Sequence, residues 1–179
     1  MGFCASKPSL PQVLLAGLDD AGKTTFLLAD VVKSVQTIES TYGFNYQEKV
    51  IGEVLRVGIW DLGGRESLRC LWPSFYRNIP FAAVIYLVNP WQEERLPEAR
   101  RELQILTNEE ELREAVFCIL INTHGSKEPV KEAEVVARLG LKSFHHTIKH
   151  GYFTLDITNI DDTYDRAMAW LSSEISGHD

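Results

Sequence analysis

The chain has 179 residues, 45% hydrophobic and 24% charged; that is the composition of one folded domain, not of a disordered, collagenous or coiled-coil chain. Lys and Arg number 18 against 25 Asp and Glu, a formal charge of -7, which is the wrong sign for a sequence-independent grip on nucleic acid. The three cysteines (Cys4, Cys70, Cys118) are too scattered for a disulfide framework or zinc cluster, so a reducing, cytosolic setting fits.

In chain order, a short leader (1–11) precedes a single domain (12–179). Apolar runs predict strands at 13–16, 55–60, 81–88, 116–121 and 152–157. The longest of them, 81–88, is far short of the roughly 20 residues a membrane-spanning helix needs. Amphipathic stretches predict helices at 22–33, 97–112, 130–139 and 163–175. Residues 44–61 differ, because two β-rich runs flank a break at Ile51-Gly52-Glu53, the pattern of an antiparallel hairpin. Continuous apolar strands alternating with helices imply an α/β fold. Its sheet is mostly parallel and six-stranded, with one antiparallel edge strand and helices on both faces. Such folds bind ligands beyond the carboxyl ends of their strands, so Gly17, Asp61 and Asn122, each at a strand end, are expected to meet in one crevice.

The segment Gly17-Leu18-Asp19-Asp20-Ala21-Gly22-Lys23-Thr24 satisfies G-x-x-x-x-G-K-[ST] between a strand and a helix. Its glycines let backbone amides turn around phosphate oxygens, and the following helix adds its partly positive end. The cradle is therefore assigned to Gly17, Asp19, Asp20, Ala21, Gly22, Lys23, Thr24 and Thr25. Lys23 reaches the outer phosphates and Thr24 offers a hydroxyl to Mg²⁺. Asp20 is expected to point outward, since an acid beside phosphate would repel it. A second element, Trp60-Asp61-Leu62-Gly63-Gly64, ends a strand in an acid that can hold the metal through water. Gly64 follows, whose amide can approach a terminal phosphate.

These motifs, with Thr41-Tyr42-Gly43-Phe44-Asn45 and Leu68-Arg69-Cys70-Leu71-Trp72, make the sequence similar to the Arf family of small GTPases from residue 12 to residue 171. The resemblance implies the P-loop NTPase (small G-protein) fold, GTP and GDP as ligands with Mg²⁺, and a switch between two states. It implies that Thr41 closes over the metal when the third phosphate is present, so that residues 34–43 and 62–75 order together. It also implies a partner surface built from Phe44, Trp60 and Phe75, effectors, an exchange factor and a GTPase-activating protein. Plain core packing is the competing reading of each aromatic.

Two motifs depart from the family pattern. Arg65 stands where the resemblance implies the glutamine that orients the attacking water; arginine has donors but no acceptor. Slow turnover is expected, with Gly64 and Arg65 the only candidates for a part in hydrolysis. The base-reading N-K-x-D becomes Asn122-Thr123-His124-Gly125. Asn122 is kept, Thr123 replaces the lysine and Gly125 the aspartate, so guanine preference is expected to weaken. An amide near Thr158 is left as a contact for the base carbonyl.

The leader Met1-Gly2-Phe3-Cys4-Ala5-Ser6 fits N-myristoylation of Gly2. One such chain anchors only marginally, and Lys7 is the leader's sole basic residue, so palmitoylation of Cys4 is the expected second signal. Pro8 and Pro11 oppose an amphipathic leader helix. Peripheral, lipid-anchored attachment on the cytoplasmic side, independent of the bound nucleotide, follows as an expectation. His145, His146 and His150 read as a solvated turn, and Cys70 and Cys118 as packing residues. A non-cycling adaptor and a small P-loop kinase are the alternative classes; the kinase has no role for residues 60–64.

Overall fold

A computed structural model describes residues 10–28 and 43–177. The apolar runs become β1 (Gln12–Ala16), β2 (Phe44–Ile51), β3 (Leu55–Leu62), β4 (Phe81–Val88), β5 (Val116–Asn122) and β6 (His150–Leu155). They form one six-stranded sheet in the order β2-β3-β1-β4-β5-β6. Only the edge pair β2–β3 is antiparallel, from Phe44 opposite Leu62 to Ile51 opposite Leu55, around a turn at Gly52. The other pairs are parallel. The expected fold class is therefore the one observed.

The pleat of β1 shows why the sheet is covered on both faces. Leu14 and Ala16 join one buried cluster with Trp72, Tyr86, Leu103, Phe117 and Val136. Val13 and Leu15 join the other with Phe26, Ile59, Cys118, Tyr164 and Leu171. Helices α4 (Leu96–Asn108) and α5 (Glu132–Leu139) cover the first face; α1 (Lys23–Leu28) and α6 (Asp162–Ser176) cover the second. Asp161 opens α6 by accepting from the Thr163 and Tyr164 amides, an N-cap satisfying two otherwise orphaned donors.

Several predicted bounds shift for local reasons. Helix α4 stops at Asn108 because Glu109 is extended; a 3-10 turn at Glu110–Leu112 then drops Leu112 into the core ahead of β5. Helix α5 starts at Glu132, not at 130. Strand β6 starts at His150 and ends at Leu155, because Asp156 begins a turn closed by its own side chain. His150 thus belongs to the strand, with its ring against Phe144, while His145 and His146 lie in an exposed turn. Two short helices, α2 (Glu66–Arg69) and α3 (Trp72–Tyr76), break the segment after β3. The expected helix over 22–33 is seen as α1 to Leu28, and its remainder falls outside the described residues. Among the described residues no helix is long and apolar enough to cross a membrane.

Candidate nucleotide site

The carboxyl ends of β1 and β3 and the start of α1 meet as expected. Lys23, the first residue of α1, is buried and donates through Nζ to the Leu18 carbonyl at 2.8 Å. Burial pushes its pKa down to about 8, although Asp61 and Asp19 pull the other way. An ammonium so placed would be stabilised further by the negative charge of a polyphosphate. Thr24 Oγ1 donates to Asp61 Oδ2 at 2.7 Å, and Asn45 Nδ2 reaches the same oxygen at 3.3 Å. The hydroxyl of the residue after the lysine, facing a buried carboxylate, fits a hard divalent cation, whose ligands are oxygens. Thr24 and Asp61 are the described residues that would hold Mg²⁺.

Gly64 closes this end of the cradle. A Cβ there would lie 2.5 Å from Gly17 O, from Leu18 C and from Lys23 Nζ, so no side chain fits between this segment and the loop. Its carbonyl accepts from Arg69 Nε at 2.7 Å. Arg69 is itself buried and paired with Glu98 at 2.7 Å and Glu102 at 3.2 Å. Asp19 of the loop turns its carboxylate to Arg95 at 2.8 Å. Burial would raise its pKa, and the Arg95 hydrogen bond and charge, helped by Arg69, outweigh that and hold it below the usual carboxylate range. Asp20 is exposed at φ +62, facing outward as expected. Arg65 precedes α2 in extended conformation, its carbonyl accepting from the Leu68 and Arg69 amides.

At the opposite end lie the loops after β5 and β6. Asn122 is fully buried and acts as a tie: Nδ2 donates to Ala21 O at 3.1 Å, while Oδ1 accepts from the amides of His124 at 3.1 Å and Ile157 at 3.4 Å. Trp91 Nε1 fixes the Thr123 carbonyl at 2.9 Å. The amide and hydroxyl of Thr158 both donate to Asp156 Oδ1, at 2.9 and 2.7 Å. Beside the edge hairpin, Phe44, Trp60 and Phe75 pack within 5.3–6.1 Å of one another, and Phe44 is 51% exposed. Tyr46 packs against Trp60 as a fourth member, its ring tilted at a centroid distance of 4.9 Å.

Thr41, Gly2 and Cys4 lie outside the described residues, as does most of 34–43. The sequence alone assigns no role to Asn45, Arg69 or Asp156: the first two lie in motifs that carry the family resemblance, and Asp156 falls inside an apolar run that reads as strand. Among the described residues no group of three His, Cys, Asp or Glu is placed to hold a metal.

A mostly parallel sheet with a G-x-x-x-x-G-K-T loop between β1 and α1, and a Thr–Asp pair beside it, defines a P-loop nucleotide-binding protein. The model of the ADP-ribosylation factor (Arf) family matches residues 5–175, and the chain belongs to that family of small GTPases. The Arl6 BBS3 small GTPase from Trypanosoma brucei, solved with the bound nucleotide analogue GppNp, is similar at 26% identity and a TM-score of 0.80. That match covers 96% of this chain and 100% of the other. Membership makes the chain a guanine-nucleotide switch that works with effectors and regulators.

Proposed function

We propose that this protein is a lipid-anchored Arf-like switch that recruits effectors in its GTP form and hydrolyses GTP slowly. The observation that carries the reading is a complete phosphate cradle beside an altered catalytic position: Lys23, Thr24, Asp61 and Gly64 are assembled, and Arg65 follows Gly64. Lys23 neutralises phosphate charge from a buried position, and Thr24 and Asp61 hold the cation. Mg²⁺, when bound, offsets the negative charge between the outer phosphates. The close seat of Gly64 against the loop lets the second segment sense whether a third phosphate is there. Thr41 does the same from the first segment. Arg65 can donate to charge but cannot accept from an attacking water, which supports slow turnover.

Phe44, Trp60 and Phe75, with Tyr46, form the surface offered to effectors, since a cluster that is aromatic and partly exposed favours protein contact. Myristate on Gly2 and palmitate on Cys4 supply two anchors, enough for stable attachment on the cytoplasmic side. An exchange factor and a GTPase-activating protein set the cycle.

Calorimetric titration with GTP, GDP and ATP in Mg²⁺, then single-turnover hydrolysis by the chain and by Arg65→Gln, tests the reading. Guanine nucleotide binding with a faster Arg65→Gln variant is expected. A faster wild type would overturn the hydrolysis assignment, and no exchange between GDP and GTP would make the protein a non-cycling adaptor. Vesicle flotation of the acylated chain in both nucleotides tests attachment; strong release in GDP would refute nucleotide-independent anchoring.

A further inference from the structure

Thr24, Asp61 and Gly64 place the metal and terminal-phosphate end of the cradle on the β3 side. The nucleoside end therefore runs the other way, toward the ends of β5 and β6, as ligands do at the strand ends of such sheets. The loops there are fastened to the cradle. Asn122 holds Ala21 O, and a Cβ on Gly22 would stand 2.6 Å from Asn122 Nδ2 and 2.8 Å from Ile157 Cδ1. Thr123 N donates to Leu155 O at 2.9 Å, so the two loops form one wall.

Guanine presents two adjacent donors on one edge, N1–H and the N2 amino group, where adenine presents an acceptor and no N2 amino. A carboxylate accepts from both guanine donors and repels the adenine edge. Across residues 122–126 and 156–160 the sequence holds a single carboxylate, Asp156. Oδ1 is held by the Thr158 amide and hydroxyl, which fixes the rotamer. Oδ2 faces the other loop: a Cβ on Gly125 would lie 3.3 Å from it. Gly125, at φ +70, carries no side chain, and the acid of the neighbouring loop lies against the space one would enter.

Resting on the nucleotide-switch reading, we infer that Asp156 is the base-reading carboxylate of this protein, with Oδ2 accepting from the N1–H and N2 amino donors of guanine. Guanine preference is then kept from β6, without an acid at position 125. A turn cap alone would use Oδ1 and leave the base unread, so the competing role has a separate signature.

The test is competition binding of GDP, ADP and xanthosine diphosphate to the full chain and to Asp156→Asn. Asparagine keeps Oδ1 for Thr158 and turns an amide N–H toward the base, where it meets the C2 carbonyl that xanthine has in place of the amino group. GDP affinity is expected to fall about 100-fold, as for loss of charge-assisted hydrogen bonds, with ADP unchanged and xanthosine diphosphate gaining on GDP. Unchanged GDP binding in Asp156→Asn, or equal loss of all three nucleotides, would overturn the inference and leave the switch reading standing. A wild type that binds GDP and ADP equally would do the same. A wild type that binds none of the three would overturn the switch reading itself.

Discussion

Replacing Arg69 by methionine tests how the second switch segment is held to the loop and to α4. The guanidinium is 7% exposed and reaches Glu98 at 2.7 Å, Glu102 at 3.2 Å, Asp19 at 3.9 Å and the Gly64 carbonyl at 2.7 Å. Removing one partner of a buried pair leaves uncompensated charge and typically costs about 3–5 kcal/mol. Glu98 and Glu102 keep 23% and 17% of their side-chain surface in water, which places this case near the low end, about 3 kcal/mol. For a domain of this size each kcal/mol lowers Tm by about 2–4 °C, so a fall of roughly 6–12 °C is expected at pH 7 by circular dichroism. Arg69→Lys keeps the charge but loses the planar fork and is expected to fall between. The pH dependence follows from the carboxylates. Burial would raise Glu98, but hydrogen bonds from Arg69 and Arg95 outweigh it and hold its pKa below the usual value; Asp19 is lowered likewise. Groups depressed in the folded state stabilise it above their ordinary pKa of about 4, and that contribution disappears as pH falls through the folded values. The gap between wild type and Arg69→Met is therefore expected to narrow below about pH 4. A shift under 2 °C at pH 7, or an equal gap at both pH values, would refute the assigned role.

Two further substitutions separate cradle from core and surface. Lys23→Met removes a buried ammonium whose pKa burial has already pushed to about 8, so it is expected to abolish nucleotide binding while the nucleotide-stripped protein melts no lower than wild type; differential scanning fluorimetry with and without GDP reads both. Phe44→Ala deletes a half-exposed ring and is expected to cost under about 1.5 kcal/mol in urea denaturation, against about 3–5 kcal/mol for the fully buried Phe26→Ala. Equal losses would mean that Phe44 is a core residue and not part of a surface.

What the sequence revealed depended on how local each signal was. The apolar run of β1, the hairpin break at Gly52 and the loop from Gly17 to Thr24 are written in contiguous residues, and each formed where expected. Helices α2 and α3, of four and five residues, are too short to show a period. They are set by distant contacts such as Trp72 Nε1 on the Gly63 carbonyl and Arg69 on Glu98 and Glu102. Asp19 and Arg95 pair across 76 positions, with nothing local to announce it. Asp156 was hidden differently: residues 152–157 read as one strand, and only the turn closed by Thr158 shows that the acid leaves the sheet.

The same geometry explains why Asn122 stands where Thr123 and Gly125 replace a lysine and an aspartate. Asn122 spends its amide on Ala21 and its carbonyl oxygen on His124 and Ile157, so it joins the phosphate loop to both neighbouring loops. Losing it would leave buried polar groups unsatisfied in three segments at once, a penalty of about 1–3 kcal/mol for each. Thr123 is anchored through its main chain, by its amide on Leu155 and its carbonyl on Trp91, which any residue could supply. Gly125 needs only a left-handed turn. Substitution at those two positions therefore leaves the phosphate cradle undisturbed, and phosphate binding and base reading become separable properties of this chain.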